Sequence, residues 1–204
     1  MFINARKDDL RDISSDVCII GAGATGIAIA RALSQQGFRI CLLESGGFEP
    51  DPATQSLYTG AITGVPYFPL ESTRLRYFGG TTGSWGGAAG RWKITNSKSG
   101  TGSRTVAGRF RARSWFPNYI KAQEVCEVGP FNYDAAYWSE EGNQPLLPFV
   151  DSRLMSSAYQ NSSPATRFGT RYRDDIGKAD SVTAVLHANV TRIERDTLTR
   201  PYAA

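Results

Sequence analysis

The run Gly21-Ala22-Gly23-Ala24-Thr25-Gly26 is a G-x-G-x-x-G pattern, and an acidic residue, Glu44, stands eighteen positions beyond its last glycine, followed by Ser45. Residues of these types at this spacing bind a dinucleotide. Gly21 permits a tight exit from a strand, Gly23 lets bare backbone approach a pyrophosphate, and Gly26 lets a helix pack closely on a sheet. The backbone N–H groups from Ala22 to Gly26, with the positive end of the helix dipole, then meet the phosphates. A carboxylate about twenty residues further on accepts hydrogen bonds from the hydroxyls of an adenosine ribose.

These groups act together only if secondary structure brings them to one place. Asp16-Val17-Cys18-Ile19-Ile20 is apolar and β-prone after its first residue, and runs straight into the glycines. A helix follows, with Gly26 and Ala30 one turn apart on the sheet-facing side, Ile27 and Leu33 adding bulk, and Gly37 placed to end it. Arg39 to Leu43 reads as a second buried strand that delivers Glu44 at its carboxyl end. Residues 14–45 therefore form a β-α-β unit. A glycine turn with no ligand is the plain alternative, and strand, turn, helix, strand and acid in register argue against it.

Glu44 does not separate NAD from FAD, because both carry an adenosine ribose diphosphate. A second stretch, Arg74-Leu75-Arg76-Tyr77-Phe78-Gly79-Gly80-Thr81-Thr82-Gly83-Ser84-Trp85-Gly86-Gly87, places five glycines among aromatic and hydroxyl residues. Main chain without side chains can lie against a flat ring system, and hydroxyls can bond its polar edge. A flexible surface loop has no need of Tyr77, Phe78 and Trp85.

The segments DVCIIGAGATGIAIARAL, ICLLESGG and RLRYFGGTTGSWGG together resemble the FAD-binding half of the glucose-methanol-choline oxidoreductases, in particular the bacterial branch of sugar and gluconate dehydrogenases. The similarity resumes at Tyr119-Ile120-Lys121-Ala122-Gln123 and covers most of residues 14–196. The resemblance implies an α/β fold: a Rossmann-like FAD-binding domain with part of an interleaved α+β substrate domain. It implies FAD as cofactor, a sugar or other small alcohol as substrate, hydride transfer to flavin N5, and an external electron acceptor. By resemblance, Gly21, Gly23 and Gly26 meet the diphosphate and Glu44 the ribose, with Ser45 a further cofactor-binding residue. Gly80, Thr81, Ser84, Trp85, Gly86 and Gly87 lie near the flavin ring, Arg74 is a further cofactor-binding residue, and backbone at Val190 meets the adenine. Some relatives carry a flavin-linked histidine where this chain has Ser84, so dissociable FAD is expected.

The family's catalytic histidine lies in a C-terminal part that this sequence does not match. The one histidine, His187, reads as a half-buried strand residue with no adjacent partner, so no catalytic residue is assigned and no metal ligand set is found. The expectation is a fragment of an enzyme, with the tail from Thr197 to Ala204 lacking any apolar period. Two other readings stand beside it: an NAD-dependent Rossmann dehydrogenase, and a dinucleotide-binding protein without turnover.

Between Glu71 and Glu124 there are ten basic residues and no acidic one. Within that stretch, residues 91–115 break the resemblance, and they read as the product of a local reading-frame change or as a solvated basic loop. A nucleic-acid patch is the functional alternative, but no known motif surrounds it. The net charge of +4 resides there, so no nucleic-acid or membrane partner is expected. Cys18, Cys41 and Cys126 fit neither a zinc site nor a disulfide framework and read as inert buried thiols. Met1 to Ser15 is polar, without a signal-type apolar core, which points to the cytoplasm.

The expected organisation is an FAD-binding unit with flavin-facing loop over 14–90, an irregular basic segment over 91–118, a partial substrate region over 119–180 and a return to the nucleotide domain over 181–196. Within it, a short helix is expected near Ala53 to Gly60, a helix over Tyr119 to Val128, and a strand within 143–160. Tyr172, Ile176 and Ala179 recur as a helical core face, and Val182 to Leu186 with Val190 to Ile193 form a hairpin-like pair.

Overall fold

A computed structural model describes residues 1–10, 12–90, 116–149, 154 and 156–194. The expectations for residues 91–115 and for the tail from Thr197 lie outside the described residues. The chain divides into two compact units, one of residues 1–84 with the segment from Arg167 onward, the other Trp85–Thr166.

In the first unit, β1 (Phe2–Asn4) is followed by β2 (Val17–Ile20), helix α1 (Ala24–Ser34) and β3 (Ile40–Leu43). Short helices α2 (Pro52–Gln55) and α3 (Leu70–Thr73) and a 3-10 turn at Gly80–Gly83 come next. Asp51 caps α2 by accepting from the Ala53 N–H at 3.1 Å, and Pro52 occupies the first helical position, where no N–H is needed. The second unit holds β4 (Ala88–Ala89), α4 (Phe116–Cys126), α5 (Ala135–Glu141) and β5 (Gln160–Asn161). The chain returns to the first unit through α6 (Phe168–Arg171), α7 (Arg173–Lys178) and β6 (Val182–Leu186).

The first unit is built on a four-stranded sheet in the order β1-β6-β3-β2, with every pairing parallel. Strands in such sheets read as apolar runs because both faces are covered, and β3 and β6 are buried almost throughout. Ile27 and Ala30 of α1, together with Ile40, Leu42, Val182 and Ala184, are nearly inaccessible. Tyr172 and Ile176 are buried as expected for a core face, although α7 ends before Ala179.

Three differences from the sequence reading stand out. The polar N-terminus forms a strand: Phe2, Ile3 and Asn4 pair with Ala184, Val185 and Leu186, and the terminal ammonium donates to the Val182 carbonyl at 2.6 Å. Phe2 then meets Phe48 and Phe78 edge to face, with centroids 4.9 and 5.4 Å away. Such aromatic contacts, not a local pattern, hold this short strand in place. The second strand of the expected C-terminal hairpin is absent: residues 187–194 are irregular, because their backbone turns back to bond the end of β3. Of the expected strand within 143–160, the described residues retain only Gln160, in a two-residue pairing with β4.

Within the second unit, α4 starts three residues earlier than expected. Its buried Gln123 donates to Gln160 Oε1 at 2.6 Å and accepts from the Tyr133 hydroxyl at 2.7 Å, a satisfied polar knot in place of an apolar core. Asp134 caps α5 by accepting from the Ala136 N–H.

Candidate dinucleotide site

The turn after β2 is shaped by two glycines with different tasks. Gly21 has φ of +97°, a conformation that side chains resist, and its N–H donates to the Leu43 carbonyl at 2.7 Å, tying the turn to the end of β3. At Gly26 the constraint is space: an added Cβ would lie 1.9 Å from the Gly21 carbonyl oxygen. Gly23 faces the other way, and a Cβ there would meet nothing within 4 Å. It forms the N-cap of α1 and supplies no side-chain cap, so the first-turn N–H groups of the helix keep their donor capacity for a ligand.

Glu44 emerges from β3 beneath this turn. Its side chain is only 6% exposed, so its charge needs partners. The Ala22 N–H donates to Oε2 at 2.8 Å, and the Gly46 N–H and Ser45 hydroxyl donate to Oε1 at 2.9 and 3.1 Å. The carboxylate thus clasps the glycine turn to the turn after β3 and retains lone pairs for a further donor. Its backbone carbonyl accepts from the Ala188 N–H at 2.8 Å, which brings residues 188–190 to the same rim.

The second glycine stretch packs on the first. Gly79 donates to the Ala22 carbonyl at 2.7 Å, and a Cβ on Gly80 would come within 3.1 Å of Gly23 Cα. Between these walls lies a cleft of about 370 Å³ at the carboxyl ends of β2 and β3. Among the expected residues, Gly21, Gly23, Glu44, Ser45, Gly80, Thr81 and Val190 line it. Ala22 and Gly26 are buried, and Ala24 and Thr25 form the first turn of α1. Arg74 is exposed, its guanidinium donating to the Thr73 carbonyl. Ser84 is exposed at the end of the first unit, where its N–H donates to the Thr81 carbonyl. Trp85, Gly86 and Gly87 belong to the second unit. There the Trp85 indole donates to the Thr166 carbonyl at 2.9 Å, buried Gly87 accepts from the Ser162 N–H, and Gly86 is exposed.

Sequence reasoning missed Tyr58, Arg76 and Asn189, which also line the cleft. The Arg76 guanidinium lies 4.7 Å over the Tyr58 ring and donates from Nη2 to Asn189 Oδ1 at 2.6 Å. Arg76 stands two positions beyond Arg74, so alternation along an extended segment puts both on one face and gives no local signal for choosing between them. Nothing local distinguishes Tyr58.

His187 sits directly after β6 with φ of +58°, donating its backbone N–H to the Gly46 carbonyl. Its ring packs against Gly47, where a Cβ would come within 2.7 Å of Cε1 and Nε2, and Nδ1 is buried without a hydrogen-bond partner. Burial holds its pKa below the usual histidine value, helped by Arg6 and Lys7 and opposed by Asp51. Among the described residues no cluster of His, Cys, Asp and Glu could hold a metal ion.

The donor set suits a pyrophosphate-bridged dinucleotide: open backbone over Gly23, an uncapped helix N-terminus, and a carboxylate at the carboxyl end of the neighbouring strand. The family model described as FAD dependent oxidoreductase matches residues 16–142, more than half of the chain. The chain belongs to that family. A search among curated proteins finds no match. The cofactor of this oxidoreductase is FAD, and the matched span contains both glycine stretches and Glu44. No helix among its described residues is long and apolar enough to cross a membrane.

Proposed function

We propose that this oxidoreductase is of the glucose-methanol-choline type and oxidises a CH–OH group of a sugar or other small alcohol, passing the electrons to an external acceptor. The observation that carries the reading is the second glycine stretch, RLRYFGGTTGSWGG, which resembles the flavin-side motif of that type and packs on the first through the Gly79 to Ala22 hydrogen bond and the approach of Gly80 to Gly23. A dinucleotide whose diphosphate rests on the first turn has its second half led toward Gly80 and Thr81. A nicotinamide enzyme has no use for that hydroxyl- and aromatic-bearing stretch, whereas a flavin ring does.

In this reading the first-turn N–H groups of α1 hold the diphosphate, Glu44 orients the adenosine ribose, and residues 188–190 border the adenine. Arg76 adds positive charge to the same cleft. Ser45 is a further polar residue of the cleft assigned to FAD. When bound, FAD supplies a two-electron acceptor that takes a hydride from the alcohol carbon. No residue is assigned as the base for the alcohol proton.

The test is flavin absorbance in the purified chain, followed by alcohol-dependent reduction of an artificial electron acceptor over a panel of sugars and simple alcohols. Because Ser84 has no imidazole to link to flavin, acid precipitation releases the chromophore into the supernatant. Purification without flavin, and no uptake of added FAD, overturns the cofactor assignment for this site. Flavin binding with turnover of amines but not alcohols overturns the alcohol assignment alone.

A further inference from the structure

The parallel register of β2 and β3 sets Cys18 directly beside Cys41. Neighbouring strands lie about 4.8 Å apart, inside the roughly 4.4–6.8 Å between Cα atoms that a disulfide spans. Paired residues in a sheet point to the same face. That face is the one α1 leaves open: a Cβ on Gly26 would approach Ile19 Cγ2 at 3.4 Å, which puts the helix over Val17 and Ile19 and away from Cys18 and Ile20.

The two thiols differ in access. Cys18 is exposed, as is its same-face neighbour Ile20 at 53%, whereas Cys41 is only 5% exposed. Burial first, and then the adjoining Cys18 thiol, push Cys41 up to about 11. A reagent from solvent therefore meets Cys18, and the sulfur next to it in the fold is that of Cys41.

We propose that Cys18 and Cys41 form an oxidation-sensitive dithiol, with hydrogen peroxide as oxidant and Cys18 as the sulfur attacked first. The Cys18 sulfur attacks one peroxide oxygen, the O–O bond breaks, and a sulfenic acid and one water result. The Cys41 sulfur then attacks the sulfenic sulfur, an S–S bond forms, and the hydroxyl leaves with the Cys41 proton as a second water. Two thiols and one peroxide give one disulfide and two waters. The bridge has one exposed sulfur, so a small thiol reductant can reopen it. It stands three residues before Gly21 and three before Glu44, cross-linking the two strands that carry the cleft. An effect on FAD retention rests on the function proposed above; the chemistry at sulfur does not.

The experiment treats the folded chain carrying Cys126→Ser with peroxide and reads intact mass, peptide map and circular dichroism. The expected result is a loss of about 2 Da, one cross-linked peptide pair joining Cys18 to Cys41, and full reversal by dithiothreitol. Adding Cys41→Ser leaves a sulfenic acid at Cys18 that dimedone traps, and adding Cys18→Ser abolishes the reaction. If the variants do not fold, the peptide map of the unaltered chain carries the same decision. Two free thiols after native peroxide treatment, or bridges only between Cys18 residues of separate molecules, overturn the proposal. Neither readout needs bound flavin, so failure of the cofactor assignment is seen separately.

Discussion

Glu44→Gln separates the two tasks of this carboxylate, because the amide keeps the shape and loses one acceptor. In the folded chain the side chain is buried and takes two backbone donors, Ala22 N–H on one oxygen and Gly46 N–H on the other, with the Ser45 hydroxyl beside the second. A glutamine has one oxygen to offer, so either rotamer sets its NH2 group against one of those backbone N–H groups. Losing a hydrogen bond to a charged group costs about 1.5–3 kcal/mol, and a stranded buried donor about 1–3. These overlap, and the expected loss is about 2–3 kcal/mol. Against a total of roughly 5–15 for a domain, that is a visible fraction. Urea unfolding of the flavin-free protein measures it directly, as a lower midpoint at unchanged slope. Glu44→Ala strands both donors and falls further. A flavin-free Glu44→Gln variant within about 0.5 kcal/mol of the parent, the scatter of an ordinary surface change, refutes the clasp between the two turns and leaves Glu44 acting on ligand alone.

Gly26→Ala places a Cβ 1.9 Å from the Gly21 carbonyl, where only backbone can yield; the expected cost is at or above the roughly 1–3 kcal/mol of overpacking, with loss of flavin absorbance. His187→Asn keeps a residue that tolerates positive φ and removes the titration. The folded pKa of His187 is depressed, so its stabilising contribution is present above the unfolded value near 6.5 and is lost as pH falls through the folded value. The parent should lose stability relative to His187→Asn below about pH 6.5, and parallel pH profiles of the two contradict this. Asp51 is lowered to about 2 by its hydrogen bonds with Thr54 and Arg6, so the advantage of the parent over Asp51→Asn should be full above pH 3.8 and shrink toward pH 2. Chemical denaturation at several pH values reads both effects, and an Asp51→Asn difference that persists at pH 2 excludes the carboxylate as its source.

What the amino-acid order determined by itself is what acts over short range. Val17 to Ile20, the three glycines, α1 and Ile40 to Leu43 are each specified by neighbours within a few residues: an apolar run, an absent Cβ, small residues one turn apart. Glu44 was legible because the strand that ends at it and the turn it serves belong to one β-α-β unit. The burial of Ile176 in α7, and of Tyr172 at the turn just before it, was visible for the same reason of period.

Only the tertiary structure decided the rest. Phe2 to Asn4 carry no strand signal of their own, and they become β1 because β6, some 180 residues away, offers an unpaired edge and Phe48 and Phe78 a place for the Phe2 ring. The choice of Arg76 over Arg74 for the cleft depends on Tyr58 and Asn189, which are distant in sequence from both. Cys18 reads as core in an apolar strand, yet β2 lies at the sheet edge and α1 covers its other face, so the thiol is exposed beside a buried partner. Strand order and side-chain access are properties of long-range pairing, and no window of local sequence contains the strand that will lie alongside.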